Sequence, residues 1–209
     1  MIRKLLVAIP LILFASLILF ISFLRVASVR YEYQGQMNKD KAFLSTVDSR
    51  VDYSLPFPGG VLPDSPFWFI KVSRDKLWLF ITTDMNRRAD LQLLFADKRL
   101  GSAKILFEKN NPALGMATLE KAERYLLASS DTEKKMRGTG IDTTDLLDRI
   151  NRASLKHYEV MNLMYNSAPD EARPLIVRFE AIPKKVYEDA RNAELENGIV
   201  PYGNPFVWN

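Results

Sequence analysis

Residues 5–24 read LLVAIPLILFASLILFISFL, twenty positions without a charged side chain. As a helix rising about 1.5 Å per residue, such a run is roughly 30 Å long, the thickness of a bilayer's hydrocarbon core. Nothing else in the chain is apolar enough to enclose such a cylinder in water, so the run is expected to cross lipid. Pro10 lies near one end, where a missing backbone donor is most easily absorbed. The leading MIRK is similar to the basic start of a secretory signal. The run nevertheless exceeds the usual length of about 7–15 residues, and Ala27 and Ser28 make a poor cleavage site. An uncleaved anchor over residues 1–25 is therefore expected. Arg3 and Lys4 before the run and Arg25, Arg30, Lys39 and Lys41 after it pull orientation both ways. Short basic tails usually stay inside, which favours a single-pass protein of the cell membrane with its C-terminal domain extracytoplasmic.

The 209 residues leave room for one ordinary domain beside the anchor. Acidic and basic residues interleave to a net charge of +4, without a block of like charge, so nucleic acid is not an expected partner. Cysteine is absent, which excludes disulfides, thiol nucleophiles and thiolate metal sites.

After the anchor, residues 26–63 are expected to form a juxtamembrane connector. VRYEYQ alternates like a short strand and KAFLSTVDSRV has the character of a helical turn, though neither is assigned. The connector ends in a linker punctuated by Pro56, Pro58, Gly59, Gly60 and Pro63. Asp64, Ser65 and Pro66 supply a helix start, and the helix is expected to reach residue 83. Asp84 caps a second helix to residue 109, with Ala89, Leu93, Ala96, Leu100, Ala103 and Phe107 on one face. A third is expected from Pro112 to residue 129, with Met116, Leu119, Ala122 and Leu126 inward, then a mobile polar loop through Gly138 and Gly140. Asp142 caps a fourth, reaching residue 166, with Leu146, Ile150, Ala153, His157, Val160 and Met164 on its seam. A fifth lies between Pro169 and Asn197, with Leu175, Phe179, Ile182 and Val186 on one face. Pro183 is expected to kink or split it and Gly198 to end it. The expected fold is all-α: an N-terminal transmembrane helix, then an antiparallel bundle of four to five helices over residues 64–198. An aromatic tail over residues 199–209 should fold back onto it through Tyr202, Phe206 and Trp208.

The run LPDSPFWFIK (residues 62–71), followed by Leu77, Trp78, Leu79 and Phe80, then Thr83 and Asp84 and an alanine- and leucine-rich helix, resembles a bacterial domain-of-unknown-function family. Its members open with a proline–aspartate–serine–proline motif, an aromatic helix and a long charged helix, commonly behind one N-terminal span. The likeness covers roughly residues 55–130, and the second helix here holds less lysine and glutamate than is typical. The resemblance implies an envelope-associated helical domain and supplies no activity.

Phe67, Trp68, Phe69, Trp78 and Phe80 share one expected helix with Lys71, Arg74 and Lys76. Rings beside basic groups suit a bilayer's headgroup region or a protein partner, and equally the packing of a bundle. Phe67, Trp68, Phe69, Lys71, Arg74, Trp78 and Phe80 are therefore the candidate membrane or partner surface. His157, the only histidine, sits on an apolar seam, where a hydrogen-bonded core role is expected rather than catalysis. Asp142, Asp145 and Asp148 lack the glycine and terminal glutamate of a calcium loop and suit the positive end of a helix instead. Gly138-Thr139-Gly140 has no preceding strand and makes a poor phosphate cradle. The sequence points to no catalytic residue, cofactor or metal.

These features favour a non-catalytic, membrane-tethered interaction or scaffold module of the cell envelope, with the lipid bilayer and an envelope protein as partners. A ligand-responsive regulatory or sensory protein is the alternative. A cell-wall hydrolase using paired carboxylates such as Glu180 and Glu188 is a further one.

Overall fold

The structure is a computed structural model that describes residues 50–206 and 208, with residues 14 and 16 as isolated positions. Apart from those two positions, the apolar run of residues 5–24 thus lies outside the described residues, as does most of the connector. No helix among the described residues is long and apolar enough to cross a membrane. The chain divides into two compact units, residues 1–37 and 38–209, and the described residues from 50 onward belong to the second.

The described residues form five helices and no strand: α1 Trp68–Ile81, α2 Met85–Glu108, α3 Pro112–Gly138, α4 Thr144–Ser167 and α5 Arg173–Glu196. Asp84 caps α2 as expected, its Oδ1 accepting from Arg87 N at 2.7 Å. Asn110 turns the chain with φ 58, a conformation asparagine tolerates, and Asn111 then caps α3 ahead of Pro112. The start of α1 differs. The helix begins two residues after Pro66, because Ser65 Oγ accepts from Phe67 N, while Asp64 is drawn away to Lys109 at 2.9 Å. At the start of α4, Asp142 accepts from Thr144 N and Thr143 holds the cap position.

α2 with α3 and α4 with α5 form helical hairpins, with α2 also beside α4 and α3 beside α5. Ser129 Oγ donates to Ala89 O at 2.9 Å, which joins the far end of α3 to the near end of α2, as antiparallel packing requires. The seam residues named for α2, α3 and α4 are all buried. They meet in two apolar clusters, one built on Leu100, Leu119 and Val160, the other on Leu93, Leu126 and Ile150.

Residues 130–138 are not a loop; they continue α3 by more than two turns. The composition there is polar, but Ser129, Thr132, Glu133 and Met136 extend the buried row. Thr132 Oγ1 donates to Gln92 Oε1, and Glu133 accepts from both Thr143 Oγ1 and Arg137 Nε. Gly140, at φ 81, then ends the helix with Ile141 N donating back to Met136 O. In α5 Val186 is buried as expected and Phe179 and Ile182 pack half-buried against the core, but Leu175 is 45% exposed, and Ile176, Glu180, Pro183, Tyr187, Ala190 and Glu194 form a buried row one position further on. Ala190 and Ala193 are buried at its far end. The helix runs unbroken through Pro183 and ends at Gly198, φ 71.

Residues 50–63, expected as connector, lie on the body. Val51, Leu55 and Leu62 are buried, and Pro58 lies against Gly101, where a Cβ would meet its ring at 3.5 Å. The tail folds back as expected: Phe206 and Trp208 meet Tyr158 at 5.1 and 4.8 Å, and Tyr187 Oη donates to Tyr202 O.

Met136, fully buried, checks the extension of α3. Met136→Ala is expected to lower unfolding free energy by about 2–5 kcal/mol in denaturant titration, whereas exposed Lys134→Ala should change it by less than about 0.5 kcal/mol. Equal, small effects at both positions would argue for a loop.

Candidate interaction surface

Among the helices, α1 comes close to α2 alone, and its two sides differ sharply. The inner side carries Trp68, Lys71, Asp75 and Trp78. Asp75, 1% exposed, is held by Arg74 at 2.7 Å and by buried Arg99 of α2 at 3.7 Å. The Arg99 guanidinium lies 4.7 Å from the ring of Tyr125, 5.8 Å from Trp68 and 5.9 Å from Phe95, a stack that suits a weakly hydrated planar cation. Trp78 meets Phe95 edge-on at 6.3 Å. Lys71 donates to Pro58 O at 2.6 Å and Val61 O at 3.2 Å, tying the Pro-Gly stretch to α1. Burial pushes its ammonium down to about 8, against the opposing pull of Asp75.

The outer side is apolar apart from exposed Ser73. Phe69 and Phe80 form one row and Ile70, Leu77 and Ile81 the next, at spacings of seven, eleven or both. They are 66%, 83%, 54%, 39% and 47% exposed, with Phe67 at the helix entry 63% exposed. The candidate residues therefore divide: Phe67, Phe69 and Phe80 lie on this face, Trp68, Lys71 and Trp78 attach α1 to the body, and Arg74 borders both. Ile70, Leu77 and Ile81 belong to the face too, and the signal for them is their spacing, which aromatic content alone obscures.

A second constellation lies in the core. His157, fully buried on α4, directs Nδ1 to Glu123 Oε1 of α3 at 2.7 Å and Nε2 to Asp97 Oδ1 of α2 at 3.1 Å. Tyr53 Oη donates to the other Asp97 oxygen at 2.6 Å. With both acids as carboxylates, both ring nitrogens must donate, which requires the imidazolium. Burial alone presses His157 down, but the charges and hydrogen bonds of Glu123 and Asp97 together outweigh it and raise it to about 9. Burial likewise raises Glu123, against the pull of His157. The expected core role of His157 thus comes with two charged partners that the chain order does not suggest.

Two of the three aspartates near the start of α4 are otherwise engaged. Asp142 is lowered by its hydrogen bonds from Thr144, and Asp148 pairs with Arg152 at 2.9 Å. Glu180 is buried on α5, and Glu188, eight residues further along the same helix, is exposed. Among the described residues no group of three or more histidines and acids is arranged to hold a metal.

His157→Ala leaves Asp97 and Glu123 buried without their cation, and is expected to lower stability by about 3–5 kcal/mol. The folded value of His157 lies above the ordinary 6.5, so its contribution is fully present below that pH and is lost as pH rises through about 9. Wild-type melting temperature should therefore fall across that interval, and the variant's should fall less. Parallel pH profiles for the two proteins would refute the charged cluster.

Comparison with known proteins gives a family and no relative of established activity. No curated protein and no solved structure matches the chain. One family model, described as "Domain of unknown function (DUF5667)", matches residues 60–171, just over half of the chain. That stretch takes in α1, α2, α3 and α4, including the apolar face, Asp75 with Arg99, and the His157 cluster, and it ends before α5 begins. By this match the chain belongs to the DUF5667 family of domains of unknown function.

Proposed function

We propose that the protein is a non-catalytic helical interaction module of the bacterial cell envelope, tethered to the membrane by residues 5–24. Its working surface is the outer side of α1. The tether rests on the uncharged apolar run, which is unfavourable in water and long enough to span a bilayer. The working surface rests on one observation: five large apolar side chains of α1 stand exposed on one side of a helix that is clamped to the body by a buried ion pair. Contiguous exposed apolar side chains are costly to solubility and mark places where a second surface docks. The body behind α1 is well suited to present such a face, since its core holds both apolar seams and directional charged contacts.

Fractionation and site-specific cross-linking test the proposal together. The full chain should stay in the membrane pellet through high salt and alkaline carbonate, and removing residues 1–25 should release it. A photo-reactive residue at Phe69 or Phe80 should cross-link to a neighbouring component, while one at exposed Lys185 of α5 should not. Recovery of the intact chain in the supernatant defeats the tether. Equal labelling from α1 and α5 defeats the working surface.

A further inference from the structure

The outer face of α1 is bordered by cations. Taking 100° per residue, its apolar rows span from Phe69 round to Ile81, with Lys76 just outside one border and Arg74 just outside the other. Lys76 is exposed, and the Arg74 side chain, although paired with Asp75, is 41% exposed. Arg87 and Arg88 follow in the first turn of α2, both exposed, with Arg88 Nη1 donating to Leu79 O at the end of α1. Residues 66–88 hold five basic side chains, Lys71, Arg74, Lys76, Arg87 and Arg88, against two acids, Asp75 and Asp84. Asp75 is buried on the inner side and exposed Asp84 caps α2, so exposed cations outnumber exposed acids round a face interrupted only by Ser73.

Resting on the tethered reading, we infer that this face is a lipid-binding surface, with Phe69, Phe80, Ile70, Leu77 and Ile81 in the headgroup region of an anionic bilayer and Lys76, Arg74, Arg87 and Arg88 against its phosphates. Charge decides between occupants. A second copy would bring one basic rim against another, whereas an anionic leaflet complements it. Chain length supports the same choice. Because residues 50–63 lie on the body, only residues 25–49 separate the apolar run from it, which keeps the local concentration of lipid beside α1 high and lets a weak interfacial helix bind. In effect α1 seats the domain on the membrane.

The chain has no cysteine, so single-site labelling is clean. Phe80→Cys and, as a control, Lys185→Cys in the full chain are labelled with an environment-sensitive fluorophore. Both are reconstituted into vesicles of phosphatidylcholine alone or with phosphatidylglycerol, with or without lipid-borne nitroxide quencher. Residue 80 is 83% exposed, so its replacement leaves the fold intact, as thermal melting will verify. The expected result is a blue shift and several-fold stronger quenching at position 80 than at position 185. It should be larger with phosphatidylglycerol and reduced by salt. A protein that resists alkaline extraction yet shows equal quenching at both positions overturns the lipid surface and leaves the tether standing. Shielding of position 80 that grows with protein-to-lipid ratio assigns the face to a second copy and overturns it too. A chain that washes off the vesicles removes the tether, and the lipid inference with it.

Discussion

The contact on which the rest of the bundle depends is the buried imidazolium of His157 between Glu123 and Asp97. It joins α4, α3 and α2 at one point in the core, and Tyr53 brings the incoming chain to the same point through Asp97. Apolar seams of leucine and alanine are permissive, since sliding one helix by a turn replaces one such contact with another of much the same kind. The charged cluster does not permit this. Displacing any of the three helices by a turn strands a buried charge, at a cost of several kcal/mol. Register in this fold is therefore set by the few directional contacts, and the seams provide the bulk of the burial. Asn151 with Glu194 performs the same task between α4 and α5, its amide donating to the carboxylate across the hairpin.

α1 is joined to that body by a different logic. Where the bundle helices interlock along their length, α1 is fixed by the Asp75–Arg99 pair, the rings stacked about Arg99, and the Lys71 bonds to the Pro-Gly stretch. Those contacts all use one side of the helix. The consequence is a rigidly oriented helix whose other side is free of obligations to the core, which is the arrangement a docking surface requires. Had Asp75 and Arg99 been apolar, α1 would have been free to roll its phenylalanines inward; the buried ion pair fixes which side faces out.

Much of the bundle is legible in the chain because seams at three- and four-residue spacing identify buried helix faces. Ala89 to Phe107 and Leu146 to Met164 are the clearest cases, and every member is buried. Residues 130–138 defeat that reading because their inward side chains include Thr132 and Glu133, and polarity in a sequence suggests solvent. Polarity conceals the core cluster in the same way. Asp97 lies four after Leu93 and three before Leu100, Glu123 four after Leu119 and three before Leu126, and His157 four after Ala153 and three before Val160. Each occupies a seam position, so periodicity alone places all three inside. What no single-chain pattern supplies is which of them meet, since that depends on helix adjacency. The face of α1 is half legible: its aromatic residues stand out, but the division between Trp68 and Trp78 inward and Phe69 and Phe80 outward follows from where Asp75 and Arg99 meet.

The two halves of the structure bear on function through one shared property, the separation of charge from apolar surface. In the core, charges are buried and matched in pairs and triads, so the body is held in a single arrangement. On α1 the order is reversed, with apolar groups outward and cations at the border. Exposing such a surface to water is costly, and its cost falls wherever a second surface covers it. The packing of the body matters here, because a helix on a loosely packed support would turn its phenylalanines into the core. The family match over α1 to α4, and not over α5, is consistent with the surface and the register cluster forming one unit. α5 and the aromatic tail complete the packing of that unit, and α1 is the helix whose outer side the packing leaves exposed.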